Sequence, residues 1–233
     1  KAVFRYKDVF TGYRNTLFYT VVGTFINVSM TLIAAYPLAR RNLAGRGFFT
    51  FIFTFTMLFS GGMIPTYLLM RDLHLLNTPW AMMLPGAINI TNLIITRTYM
   101  QSSIPGDLLE AAQIDGCSDF RYFFMIVLPL SKANIAVITL YYAVGHWNAY
   151  FNALLYLTKK SLFPLQVFLR EILLLSNIDA TTVSDPQTLA AIQGLSDLLK
   201  YSLIVVATAP ILCMYPLVQR YFEKGVMIGS LKG

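Results

Sequence analysis

Residues 15–39 read NTLFYTVVGTFINVSMTLIAAYPLA, 25 consecutive positions without a charged side chain. An α-helix rises about 1.5 Å per residue, so about 20 such residues cross the ~30 Å hydrocarbon layer of a bilayer. Four more windows lack Asp, Glu, Lys and Arg: residues 48–70, 75–96, 133–158 and 201–219. Each is long enough to cross. Spanning strands would need only about ten residues and would alternate in polarity, which these windows do not. Helices also satisfy their own backbone hydrogen bonds, as lipid requires. The reading is an all-α, polytopic transmembrane helical bundle with five spans.

Composition agrees. Of 233 residues, 56% are hydrophobic and only 12% charged, about half the charged share of an ordinary soluble domain. That excludes a disordered chain and argues against a water-soluble globule. The net charge of +7 comes from 18 basic residues scattered between apolar blocks, which suits membrane-flanking anchors better than a nucleic-acid surface. Cys117 and Cys213 lie far apart and form no C-x-x-C pair, so neither a structural disulfide nor a metal or redox motif is expected. The Lys and Arg of the loops divide evenly between the two sides, nine and nine, so the positive-inside rule does not orient the bundle.

Residues 101–131 connect the third and fourth windows; positions 102–132 read SSIPGDLLEAAQIDGCSDFRYFFMIVLPLSK. Ser102 or Ser103 can cap a helix, and Pro105 suits its first turn. Asp107 and Glu110 sit near its positive end. Gly116 can take the left-handed backbone that stops it. Ser118 can cap a second helix, in which Phe120, Phe123, Phe124 and Val127 make one apolar face, and Pro129 ends it. The expected unit is helix, glycine turn, short amphipathic helix, lying beside the membrane.

The spelling of this loop resembles the EAA motif of ABC importer permeases, the binding-protein-dependent transport family. Glu110, Ala111, Ala112, Asp115, Gly116, Leu128 and Pro129 carry the likeness. EAAxxDG followed by Leu-Pro is similar to the carbohydrate branch. Ala34-Ala35-Tyr36-Pro37-Leu38-Ala39-Arg40, Gly61-Gly62, Trp147-Asn148 and Tyr215-Pro216 extend it over nearly the whole chain. Pro164-Leu165-Gln166 and the tail KGVMIGSLKG are similar to an oligosaccharide and uronate subgroup. Cys117 stands where the family often has Ala.

The resemblance implies a single permease domain over 1–233, of the type I importer kind, in a bacterial inner membrane. Its six-span plan implies one more helix ahead of Lys1. The loop and the C-terminus would be cytoplasmic, and residues 159–200 extracytoplasmic. The implied partners are two ATP-binding subunits, a second related permease subunit, an extracytoplasmic solute-binding protein and a sugar, with lipid around the helices and no nucleic acid. The chain has no phosphate-cradling G-x-x-x-x-G-K-[ST] loop. No cofactor is expected on it, and ATP and Mg would be bound by the partner ATPase. Glu110 to Gly116 would plug into that ATPase and relay its closure.

For the translocation path, sugar hydroxyls call for amides, and sugar faces for aromatic rings. The fourth window offers Asn148 and Asn152 at i, i+4, with Trp147, Tyr150 and His146 nearby. The third offers Asn89, Asn92 and Thr96 on one face. The same groups can instead serve hydrogen bonds between helices. His146 has no second ligand at helical spacing, so no metal site is expected. The windows hold no carboxylate, which speaks against an intramembrane enzyme or a proton-coupled carrier. The competing cargoes are an amino acid or a polyamine.

Overall fold

The computed structural model describes residues 7–178, 205 and 207–212. The elements are α1 (Lys7–Ala39), α2 (Arg46–Leu58), α3 (Met63–Asp72), α4 (Trp80–Met83), α5 (Ile90–Ser103), α6 (Gly106–Ile114), α7 (Asp119–Tyr122), α8 (Leu128–Leu130), α9 (Lys132–Trp147), α10 (Phe151–Tyr156) and α11 (Leu165–Ile178). A π turn, Phe123–Val127, joins α7 to α8, and a 3-10 turn, Lys160–Leu162, precedes α11. No strand occurs among the described residues. The fold is the all-α bundle expected.

The windows are not straight rods. Among the described residues, only the first window gives an unbroken helix long and apolar enough to cross a membrane, Val9–Ala39. The second bends by 112° between α2 and α3. The cause is local: Gly62 has φ +90°, a value open to glycine and costly to other residues. In the third window the long helix does not begin until Ile90: just after His74 the chain turns at positive φ at Asn77 and Gly86, and only the one-turn α4 forms between them. Asn77 then anchors the irregular stretch to the end of α10. Its Oδ1 accepts from Thr158 N at 2.6 Å and Thr158 Oγ1 at 2.7 Å, and its own N–H donates to Tyr156 O. The fourth window breaks after Trp147 and resumes at Phe151. Of the fifth, only Val205 and residues 207–212 are described, and these are helical. Tyr215-Pro216, Cys213, the tail and the second half of 159–200 lie outside the described residues.

Helix α1 is the spine, packed against α9, α5 and α11. Along one face it buries Thr16, Thr20, Thr24, Asn27 and Thr31, each 7% exposed or less. The spacing of four, four, three and four keeps them in line. Thr16 Oγ1 accepts from Leu165 N at 2.8 Å, and Asn15 Nδ2 donates to the carbonyls of Ser161 and Phe163. Tyr19 donates to Leu162 O. Further along, Asn27 meets His146 at 3.2 Å and Thr31 meets Tyr142 at 2.7 Å. Such contacts contribute about 0.6 kcal/mol each in membrane bundles, so the row matters more than any member. At the helix end, Arg97 Nε and Gln101 Nε2 donate to the carbonyls of Leu38 and Ala39, which have no partner within the helix.

Close approach depends on Gly23. A Cβ there would lie 2.6 Å from His146 Nε2. Gly23→Ala is expected to destabilise the protein by about 1–3 kcal/mol through overpacking, read as a lower midpoint of thermal unfolding in detergent. Gly47→Ala, with nothing within 4 Å of the added carbon, should leave the midpoint unchanged or slightly raised.

Candidate functional site

The loop after α5 is a built unit. Helix α5 runs through Ser102 and Ser103, so neither serine caps α6 as expected; that position falls to Pro105, in extended conformation at φ −60°, ψ 140°. The end of α6 closes as a Schellman motif: Gly116 N–H donates to Gln113 O at 3.1 Å and Cys117 N–H to Ala112 O at 2.8 Å. Gly116 has φ +72° with open space around it, so the glycine is required by the backbone and not by crowding. Cys117 and Ala112 join the same apolar cluster, the contact that accompanies this motif. Ser118 caps α7 by accepting from Arg121 N.

Inward, α6 rests on Leu109 and Ala112. Outward it presents Leu108, Glu110, Ala111, Ile114 and Asp115, with Ile114 86% exposed. A short helix with an exposed apolar flank and two acids suits a groove in a partner. Behind it, a cavity of about 510 Å³ separates α6 from the ends of α1 and α5, lined in part by Arg40, Arg41, Arg46, Asp107 and Glu110.

Two expectations for the second half of the loop need correcting. The apolar face was read through Phe120, Phe123, Phe124 and Val127, but only Phe123 and Val127 are buried, with Tyr122. The reason is the π turn. Leu128 N–H reaches back to Phe123 O, five residues rather than four, so the 3.6-residue period does not carry across. Nor does Pro129 end the helix. The coil runs on to Leu130, and the chain then turns by 79° into α9. Leu128 is partly buried in the core cluster, and Pro129 is exposed.

A second cavity, of about 490 Å³, gathers Asn89, Asn92 and Asn152 from the expected path. Asn89 caps α5, its side chain accepting from Asn92 N at 3.1 Å. Its N–H donates to Tyr142 OH at 2.9 Å, and that hydroxyl pairs with Thr31. Thr96 turns away to accept from Asn134 Nδ2 at 3.1 Å. Asn27, Thr91, Tyr141, Tyr142 and His146 add to the polar lining. Asn27 is 4% exposed, and its Oδ1 is a buried acceptor without a partner. Among the described residues no Asp, Glu, Lys or Arg lines this cavity.

The remaining path candidates lie elsewhere. Because α9 ends at Trp147, Asn148 and Asn152 do not share one helical face. Asn148 instead donates to Val144 O, closing its own helix end, and accepts from Gln166. Trp147 is buried, donates to Ala207 O at 2.9 Å and meets Tyr13 edge-on. Tyr150 stacks under Arg170, 5.4 Å from ring centre to guanidinium carbon. The residues that sequence reasoning missed, Asn27, Tyr141 and Tyr142, had a signal: the Thr and Asn row along α1, which marks the buried face opposite α9. Among the described residues no group of three or more His, Cys, Asp or Glu could hold a metal.

Tyr142→Phe deletes the hydroxyl shared by Thr31 and Asn89. The expected loss is about 1–2 kcal/mol of stability, measured by unfolding in detergent beside the wild-type chain.

Residues 9–228 match the family model described as the inner membrane component of binding-protein-dependent transport systems. Protein LplC of Bacillus subtilis (strain 168) is 48% identical over 94% of this chain and 72% of its own length. The polygalacturonan/rhamnogalacturonan transport system permease protein YtcP of the same organism is 46% identical over 94% and 75%. A solved bacterial ABC transporter involved in the import of the acidic polysaccharide alginate superposes with a TM-score of 0.82 at 34% identity, covering 95% of this chain and 78% of that one. By motif, fold and relatedness, the chain belongs to the ABC importer permeases, the inner membrane components of binding-protein-dependent transport systems.

Proposed function

We propose that the chain forms part of the translocation path for a sugar or oligosaccharide handed over by an extracytoplasmic binding protein. The observation that carries this reading is the second cavity: amides, tyrosines, a threonine and one imidazole, with no charged side chain among the described residues that line it. Sugar hydroxyls donate and accept, so each can pair with an amide on both sides. A polyamine or an amino acid would call for carboxylates or cations there. The names of relatives that transport polygalacturonan or alginate favour a carbohydrate, acidic ones included. The asparagine Nδ2 groups and His146 suit a uronate carboxylate as well as a hydroxyl.

Coupling belongs to residues 110–116. We assign α6 to the cytoplasmic face, docked on one of two ATPase subunits that bind ATP and Mg. A second, related permease subunit completes the path. Exposed Glu110 and Ile114 would meet the ATPase, and the Gly116 turn would fix α6 relative to α7. Closure of the ATPases then moves the loop as a rigid piece between discrete states of the bundle.

The test is the complete importer in liposomes, with ATP hydrolysis and uptake measured for a panel of oligosaccharides. One member of the panel should stimulate hydrolysis; stimulation only by an amino acid or polyamine would overturn the cargo assignment. Glu110→Ala combined with Gly116→Val should lower uptake at least about tenfold, since a β-branched residue is strained at positive φ, while membrane insertion persists. Normal uptake with both changed would remove the coupling role. Asn152→Leu should raise the sugar concentration for half-maximal uptake with little change in the amount of assembled complex.

A further inference from the structure

Arg40 and Asp119 form an ion pair at 2.5 Å. Its only counterpart among the described residues joins the sequence neighbours Arg71 and Asp72, so this is the one described ion pair that bridges distant elements. Arg40 immediately follows the last residue of α1, and Asp119 is the first residue of α7. A cation at a helix C-terminus and an anion at a helix N-terminus each favour their own helix as well as each other. The arginine is well enclosed, with its side chain 19% exposed against 60% for the aspartate. Its guanidinium carbon lies 5.8 Å from the centre of the Tyr36 ring. Tyr36 in turn packs on Phe123, with ring centroids 5.0 Å apart. The pair therefore sits beside an aromatic contact that joins α1 to the π turn continuing from α7.

The placement has a mechanical consequence. The loop is joined covalently to α9 through α8, so any displacement of α7 reaches Tyr142 and His146 through the chain. Helix α1 has no such covalent link: the chain from α1 to the loop runs through the sharply bent α2–α3 and the irregular stretch before α5. It meets the loop side by side instead, with Ala35 and Leu38 packed among Tyr122, Phe123 and Val127 and its end held by Arg97 and Gln101 of α5. Yet α1 supplies Asn27 and Thr31 to the face that meets α9. Resting on the assignment of residues 101–131 as the coupling loop, we propose that the Arg40–Asp119 pair straps the packed end of α1 to α7, so that both walls of the polar cavity shift together. The two residues act as positioning residues: neither lines the second cavity.

The experiment uses the complete importer in liposomes and reads cargo taken up per ATP hydrolysed. Asp119→Asn keeps the shape of a largely exposed side chain and removes its charge, so folding should survive. Uptake per ATP should fall about 5- to 150-fold, the usual span of a coupling interaction, with the ATPase subunits still co-purifying and ATP still hydrolysed. Arg40→Asp should fall at least as far. Arg40→Asp with Asp119→Arg should recover most of the ratio. A lowered unfolding midpoint with the uptake ratio unchanged would mark a purely structural contact and overturn the strap. So would an exchange variant that folds and assembles but is no better than the single charge changes. A Glu110→Ala sample run alongside separates the two claims. If it transports normally, the coupling-loop assignment fails whatever the strap variants do. If it loses the ATPase while Asp119→Asn keeps it, that assignment stands and the uptake ratio alone decides the strap.

Discussion

Lipid tails are as apolar as leucine, so helices in a bilayer gain little from burying grease against grease. What fixes the register of this bundle is the set of polar side chains Asn15, Thr16, Asn27 and Thr31 on α1. From Asn15 and Thr16 at one end to Thr31 at the other, it meets the carbonyls before α11, the N–H of Leu165, then His146 and Tyr142 on α9. Each bond is weak. Together they fix which face of α1 looks inward, and that face lines up with the cavity. Another face of α1, including Phe10, Val21, Phe25 and Ile33, is exposed and available to lipid or a neighbouring subunit.

The polar cavity and the seat of the loop follow from the same arrangement. Near the middle of α1 the row leaves Asn27 half satisfied, and the opposing helices contribute Asn89, Asn92, Tyr142, His146 and Asn152. Toward the end of α1, Ala35 and Leu38 are buried in a cluster with Ala112, Tyr122, Phe123 and Val127 of the loop. A rigid spine thus touches the polar cavity at one level and the loop at another. Rocking such a spine changes both at once, the behaviour an alternating-access permease needs.

Much of this was legible in the residues. The absence of charge over long windows announces spans because lipid penalises charge regardless of packing. The loop was legible because its signals are local: Gly116 for positive φ, Ser118 for a cap, Asp107 for a helix start. The breaks were half legible. Gly61-Gly62 advertised the bend in the second window, whereas the turn residues Asn77 and Gly86 were hidden inside an apolar stretch that hydropathy alone reads as helix. Tertiary packing decided what remained. The π turn at Phe123–Val127 coincides with the seat of Phe123 on Tyr36, which no local pattern encodes. The helix end at Trp147 removed the shared face of Asn148 and Asn152, and only three-dimensional contacts bring Asn152 to Asn89 and Asn92.

The account turns on where α6 faces and what covers it. With Cys117 and Cys213 replaced by serine, a single cysteine at position 111 can be probed with a membrane-impermeant thiol reagent on sealed vesicles of both orientations. The account predicts labelling only from the cytoplasmic side, and strong protection there when the ATPase subunits are bound. Labelling from the outer side, or cytoplasmic labelling indifferent to the ATPase, would contradict it.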